Sequence, residues 1–170
     1  MKMNRKIRGW TALFLCMAFV AITFAGCGKT DYEITEVRQV FHYGDRDGAE
    51  LDVYTADGTV KQYIIVPYSD SGIDLFAGEI PSEDACQTAE ATLSQEEWNA
   101  IVDVVKSSDF MSLPEELPEV EAYDGSTCYI EVDTSVGSHR SGGYCAGNGS
   151  GQKHQRFYMV RSVLIDMTPK

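Results

Sequence analysis

From Ile34 the chain alternates apolar and polar side chains, the period of a half-buried strand. Over Ile34 to Tyr43, Val37, Phe41 and Tyr43 share one face, while Arg38, Val40 and His42 share the other. Gly44-Asp45-Arg46-Asp47-Gly48 follows as a turn cluster. Ala49 to Ala56 and Thr59 to Val66 are strand-like runs around Asp57-Gly58. Such a pair predicts a two-residue type I′ hairpin, because both turn residues take positive φ. That loop sets Thr55 opposite Val60, Val53 opposite Gln62 and Leu51 opposite Ile64, with Tyr54–Lys61 and Asp52–Tyr63 on the reverse face. One face is then apolar and the other amphipathic, which predicts a sheet covered on one side.

Pro67, Gly72, Gly78 and Pro81 punctuate the next stretch, where Asp74 to Ile80 suggests a short strand and Ser82 to Thr92 a helical turn. Ser94-Gln95-Glu96-Glu97 is a capping box, with Leu93 and Trp98 at the staple positions. Trp98, Ile101, Val102 and Val105 recur at helical spacing, which predicts a helix from Gln95 to about Ser108. Phe110, Met111 and Leu113 fold back onto the core, and Pro114 to Glu119 is an acidic, proline-bounded connector. Thr127 to Ser135 and His139 to Cys145 read as a second hairpin. A loop centred on Val136-Gly137 sets Asp133 opposite Arg140, Tyr129 opposite Tyr144 and Cys128 opposite Cys145, an ion pair, an aromatic pair and a cysteine pair in one register. A Cys128–Cys145 disulfide is the expectation that follows. After Gly147 to Gly151, a closing helix from Gln152 to Met167 carries Phe157, Val160, Arg161, Leu164 and Met167 at helical spacing. Strands, hairpin, helix, hairpin, helix predict an α+β fold, an antiparallel sheet with two helices on one face.

The first residues change the picture. Lys2, Arg5, Lys6 and Arg8 precede the uncharged run Trp10 to Phe24, and the small residues Ala25 and Gly26 stand before Cys27. The run is shorter than the roughly 20 residues that span a bilayer and has signal-peptide architecture. Phe24-Ala25-Gly26-Cys27 resembles the lipobox of bacterial lipoproteins. The resemblance implies cleavage before Cys27 and diacylglycerol on its thiol, hence an outward-facing chain anchored at a bacterial cell membrane. The organisation expected is a cleaved signal peptide at 1–26, a tether at 27–33 and one α+β domain at 34–170.

Charge then narrows the partners. The 14 Lys+Arg lose four with the leader, leaving ten against 26 Asp+Glu, a formal charge of −16. Such a field repels phosphate backbones, so no nucleic-acid partner is expected. Of five cysteines, Cys86, Cys128 and Cys145 remain once Cys16 and Cys27 are accounted for.

Each candidate chemistry competes with a plainer reading. Gly147-x-Gly149-x-Gly151 lacks the spacing of a phosphate loop. Asp45, Asp47, Glu50 and Asp52 are the acids a calcium ion could gather, but their spacing is not that of an EF-hand, and a solvated acidic turn is expected. Cys128, Cys145, His139 and His154 could form a zinc site or a Cys–His dyad, without CxxC or HExxH spacing to support one. Acids at Glu83 and Asp84 disfavour a thiolate at Cys86. Tyr43, Tyr54, Tyr63, Tyr68, Tyr129 and Tyr144 are contact candidates on sheet surfaces. No catalytic residue, metal or cofactor is nominated.

Asp57-Gly58-Thr59-Val60, Leu93 to Glu97 and Asp124 to Tyr129 together are similar to small bacterial lipoprotein domains and resemble emfourin-type metalloprotease inhibitors. The resemblance transfers no active-site residue. The expectation is a non-enzymatic, lipid-anchored binding module with a protein or cell-envelope partner. The alternatives are a protease inhibitor and an envelope hydrolase working through carboxylates.

Overall fold

The computed structural model describes residues 31–169. The leader and the lipidation candidate Cys27 lie outside the described residues. Six strands form one antiparallel sheet in the order β4-β3-β2-β1-β5-β6. They are β1 (Ile34–His42), β2 (Ala49–Thr55), β3 (Thr59–Ile65), β4 (Gln87–Thr92), β5 (Thr127–Thr134) and β6 (Gly137–Tyr144). Helices α1 (Gln95–Ser107) and α2 (Gln152–Met167) complete an α+β fold.

Both helices form where local sequence directs them. At the start of α1, the Glu97 N–H donates to Ser94 Oγ at 3.2 Å, and the Ser94 N–H donates to Glu97 Oε2 at 2.7 Å. Trp98, Ile101 and Val105 of α1 and Phe157, Val160 and Leu164 of α2 are buried. They share the core with Val37, Tyr54, Val60, Ile130 and Val132 of the sheet. Arg156 of α2 donates to the carbonyls of Ser108 and Asp109, just past the end of α1, and so joins the two helices.

Five expectations need correction. In the first hairpin Tyr54 stands opposite Val60, Leu51 opposite Tyr63 and Asp52 opposite Gln62, one residue away from the expected register. The reason lies in the turn. Asp57 keeps a negative φ and accepts from the Thr55 hydroxyl and the Thr59 N–H; only Gly58 is left-handed, at φ 88°. A three-residue loop of this kind replaces the type I′ pair. A one-residue slip exchanges faces, which moves Asp52 and Tyr54 under the helices.

The second hairpin is also shifted. Thr127 stands opposite Tyr144, Cys128 opposite Gly143 and Glu131 opposite Arg140. The loop is Ser135-Val136, closed by the Thr134 hydroxyl donating to the Gly137 carbonyl at 2.6 Å. Tyr129 faces Gly142, where an added Cβ would lie 2.2 Å from the Cys128 carbonyl oxygen. Only glycine fits there, and the Tyr129 ring is covered by Arg140, 4.0 Å from its centroid. Asp133 pairs with Arg38 of β1 at 2.7 Å rather than with Arg140. The cross-strand cysteine pairing does not occur; Cys128 and Cys145 are both buried, free cysteines.

The sheet is covered on both faces. Opposite the helices, Val40, Leu51, Val53, Tyr63 and Ile65 form a second core with Leu75, and Tyr68, Ile73, Phe76 and Cys86 pack against it. Residues 66–86 supply this cover. Asp74 to Ile80 is not a strand: Leu75–Ala77 is a 3-10 turn whose Phe76 and Ala77 N–H groups donate to the Asp74 carboxylate, with left-handed Gly78 after it. Ser82 to Thr92 holds only a short turn, Glu83–Ala85, before β4.

Candidate functional site

The chain enters the sheet at Ile34, beside Thr134, and β1 leaves at His42, beside Ala49 and Thr127. β1 is nine residues long, so the two ends lie on the order of 30 Å apart. Three loops meet at the His42 end: residues 43–48, 66–72 and 122–126.

Each loop is braced by its neighbours. The first is closed by the Tyr43 N–H donating to the Gly48 carbonyl at 3.0 Å, and the Arg46 guanidinium lies 3.7 Å from the Tyr43 ring centroid. Asp47 reaches across to the second loop. Its carboxylate accepts from the N–H of Tyr68 at 2.9 Å, the N–H of Ser69 at 2.8 Å and the Ser69 hydroxyl at 2.5 Å. These bonds, led by that of the Ser69 hydroxyl, hold the Asp47 carboxyl below the usual range. The third loop hangs on Tyr144. Its hydroxyl accepts from the Gly125 N–H at 2.7 Å and donates to the Ala122 carbonyl at 3.0 Å. A Cβ on Gly44 would lie 2.3 Å from the Gly125 carbonyl oxygen, so the first and third loops touch.

Between the two pinned positions Tyr123 is 100% exposed, and Val66 on the second loop is 65% exposed. Asp45, Asp70 and Asp124 are exposed around them. An aromatic side chain on a loop already held in shape loses little conformational freedom on contact. Acids around apolar groups suit a partner surface that carries cations beside an apolar pocket.

The acids considered for calcium separate. Asp45 is exposed and Asp47 is engaged as a brace, whereas Glu50 and Asp52 lie on the helix-covered face of β2. Asp52 is 2% exposed and accepts from Gln62 Nε2 at 3.0 Å and Gln39 Nε2 at 3.3 Å. Burial is the main cause that pushes its carboxyl up to about 7, against the bonds from Gln62 and Gln39. Burial raises Glu50 as well. Among the described residues no group of three His, Cys, Asp or Glu could hold a metal ion.

The cysteines and histidines separate too. Burial pushes the Cys128 thiol up to about 12, more than neighbouring Arg161 offsets. Cys86 is also raised, by burial and by Glu83. His154 is buried with both ring nitrogens engaged: Nδ1 accepts from the Gly147 N–H at 3.2 Å, and Nε2 donates to the Pro118 carbonyl at 2.9 Å. His139 packs edge-on against Phe110. A cleft between the 75–79 turn and the second sheet face, between Arg38 and Arg140, encloses about 10 Å³, room for a single water.

Sequence reasoning singled out Tyr144 but not Tyr123. The Asp124-Gly125 turn was the available signal; the hydrogen bonds that display Tyr123 come from a strand distant in sequence. Comparison with protein families and with curated proteins found no match for the chain.

Proposed function

We propose that this chain is a non-enzymatic interaction module, held by lipid on Cys27 at the outer face of a bacterial cell membrane, with the 43–48, 66–72 and 122–126 loops as its contact surface. The observation that carries the reading is the bracing of Tyr123 by the Tyr144 hydroxyl at both Ala122 and Gly125. The lipobox-like Phe24 to Cys27 supports the anchor. The chain enters the sheet at Ile34, at the end of β1 opposite these loops.

A photo-reactive residue in place of Tyr123, in the full-length chain in intact cells, tests the surface. A discrete adduct that is absent when the same residue replaces Glu96 on α1 is the expected result. No adduct, or equal adducts at both positions, overturns it. Cys27→Ser tests the anchor: the protein leaves the membrane fraction and no longer incorporates a fatty-acid analogue.

Braced loops at one end of a sheet also favour a second reading, the protease inhibitor that the emfourin resemblance implies. Slowed cleavage by a co-produced secreted metallopeptidase, lost in Tyr123→Ala, supports that reading; unchanged cleavage rejects it.

A further inference from the structure

The two outer strands of the sheet are treated differently. β6 is covered: the Leu117 N–H donates to the Gly142 carbonyl at 2.8 Å, and the Gly142 N–H donates to the Glu115 carbonyl at 3.0 Å. The acidic connector therefore occupies that edge. Among the described residues no backbone hydrogen bond covers β4 in this way. The Leu93 N–H donates to the Gly58 carbonyl at 2.7 Å, which makes Gly58–Leu93 a hydrogen-bonded pair. Such pairs recur at every second position of an antiparallel ladder. In the register of β3 with β4 they are Val60↔Ala91, Gln62↔Ala89 and Ile64↔Gln87. Thr88, Glu90 and Thr92 therefore turn their N–H and C=O groups outward, and all three residues are exposed. β4 contains no proline, no lysine and no bulge, the usual protections of an open edge.

We infer that β4 is a docking edge for an extended segment of a partner protein that carries Lys or Arg at alternate positions. The open ladder supplies the backbone half of the recognition. Charge selects the side chains. Lys61 and Glu90 stand opposite each other on the face away from the helices, the face of Tyr63. There Lys61 is shared between Glu83 at 3.4 Å and Glu90 at 3.7 Å, so two carboxylates face one ammonium.

Directly opposite residues of an added strand share a face. A cation opposite Glu90 thus lies beside both carboxylates and completes the balance. A groove of about 260 Å³, lined by Lys61, Tyr63, Glu83, Thr88, Ala89 and Glu90, borders the strand, with room for one long side chain. The intervening positions fall beside Ala89 and Ala91, whose small side chains leave space for apolar groups. A second copy of this acidic chain is a poor occupant, because an incoming β4 brings Glu90 and no cation.

The full-length chain in non-ionic detergent and a labelled, end-blocked Lys-Val-Lys-Val-Lys peptide, read by fluorescence anisotropy, test this. The peptide binds saturably, and the same peptide with Glu in place of Lys does not. N-methylation of its backbone amides leaves every charge in place and weakens binding roughly tenfold, the loss of one or two net hydrogen bonds. Glu90→Lys weakens binding roughly tenfold, whereas Glu119→Lys, the same charge change beside the opposite edge, alters it less than about twofold. Thr88→Pro removes an outward N–H and spares the ladder to β3; it weakens binding with the thermal melt unchanged. Absence of binding overturns the inference. So does equal binding of the plain and N-methylated peptides, or equal loss in Glu90→Lys and Glu119→Lys, because general attraction to an acidic molecule then accounts for the binding.

Discussion

The Tyr54 hydroxyl donates to the Leu164 carbonyl at 2.9 Å, joining the second strand to the last turn of α2. Thr168 Oγ1 lies 2.8 Å from the same hydroxyl and itself donates to the Leu164 carbonyl at 3.2 Å. Tyr54 is fully buried, so its hydroxyl has no water to turn to. Tyr54→Phe removes one of the two hydroxyl donors to the Leu164 carbonyl and the partner of the Thr168 hydroxyl. The expected loss is about 1–2 kcal/mol, read as a lower urea midpoint with an unchanged slope.

Asp52 gives the fold a pH dependence of defined sign. Its carboxyl ordinarily titrates at 3.8 and is held at about 7 in the folded chain, chiefly by burial. Between those values the folded state binds the proton and the unfolded state does not. Stability from this group is therefore greatest at low pH and falls as pH rises from about 4 to about 7, by up to about 4 kcal/mol. Glu50, raised in the same way, acts in the same direction. Asp52→Asn flattens this slope and makes the protein more stable than wild type at pH 8. Denaturant titrations across the range check it, and an unchanged slope in the variant contradicts the assignment.

Tyr144 separates loop order from global stability. Tyr144→Phe removes the donor to Ala122 and the acceptor for Gly125, both at the surface. The global midpoint shifts by less than about 1 kcal/mol, while the Gly125 amide exchanges several-fold faster in hydrogen-exchange NMR. Equal acceleration across β5 and β6 would instead assign the hydroxyl to the whole sheet.

The α1 cap is a local contribution. Ser94→Ala removes the oxygen that receives the Glu97 N–H and one partner of the Glu97 carboxylate. The expected cost is about 1 kcal/mol. The bond from the Ser94 N–H holds Glu97 below its usual range, so Glu97 contributes stability at neutral pH that is lost in acid. Ser94→Ala reduces that acid sensitivity, as denaturation at pH 3 and pH 7 measures.

Local signals were the legible ones. The capping box and the spacing of Trp98, Ile101 and Val105 place α1 because a helix is organised by residues three and four apart. The hairpins were found, but their registers depend on one backbone angle, at Asp57, and on the room opposite Tyr129. β4 was not legible. Gln87 to Thr92 has no large apolar residue, and it is a strand because β3 pairs with it. Asp52 reads from sequence as a surface acid on an amphipathic face; the one-residue shift of β2 against β3 buries it. Tyr123 is displayed by bonds from Tyr144 that no local pattern announces.

The position of β1 also sets the order in which the fold can be made. β1 borders β2, its neighbour in sequence, on one side and β5 on the other, where His42 meets Thr127. β1 to β4 can join through nearby segments as soon as they emerge. The other side of β1 stays an open ladder until the distant β5–β6 hairpin arrives, and bringing such remote segments together delays folding. Closing that side of β1 is the long-range step of the fold, and substitutions that weaken the last hairpin are expected to slow folding, as stopped-flow refolding measures.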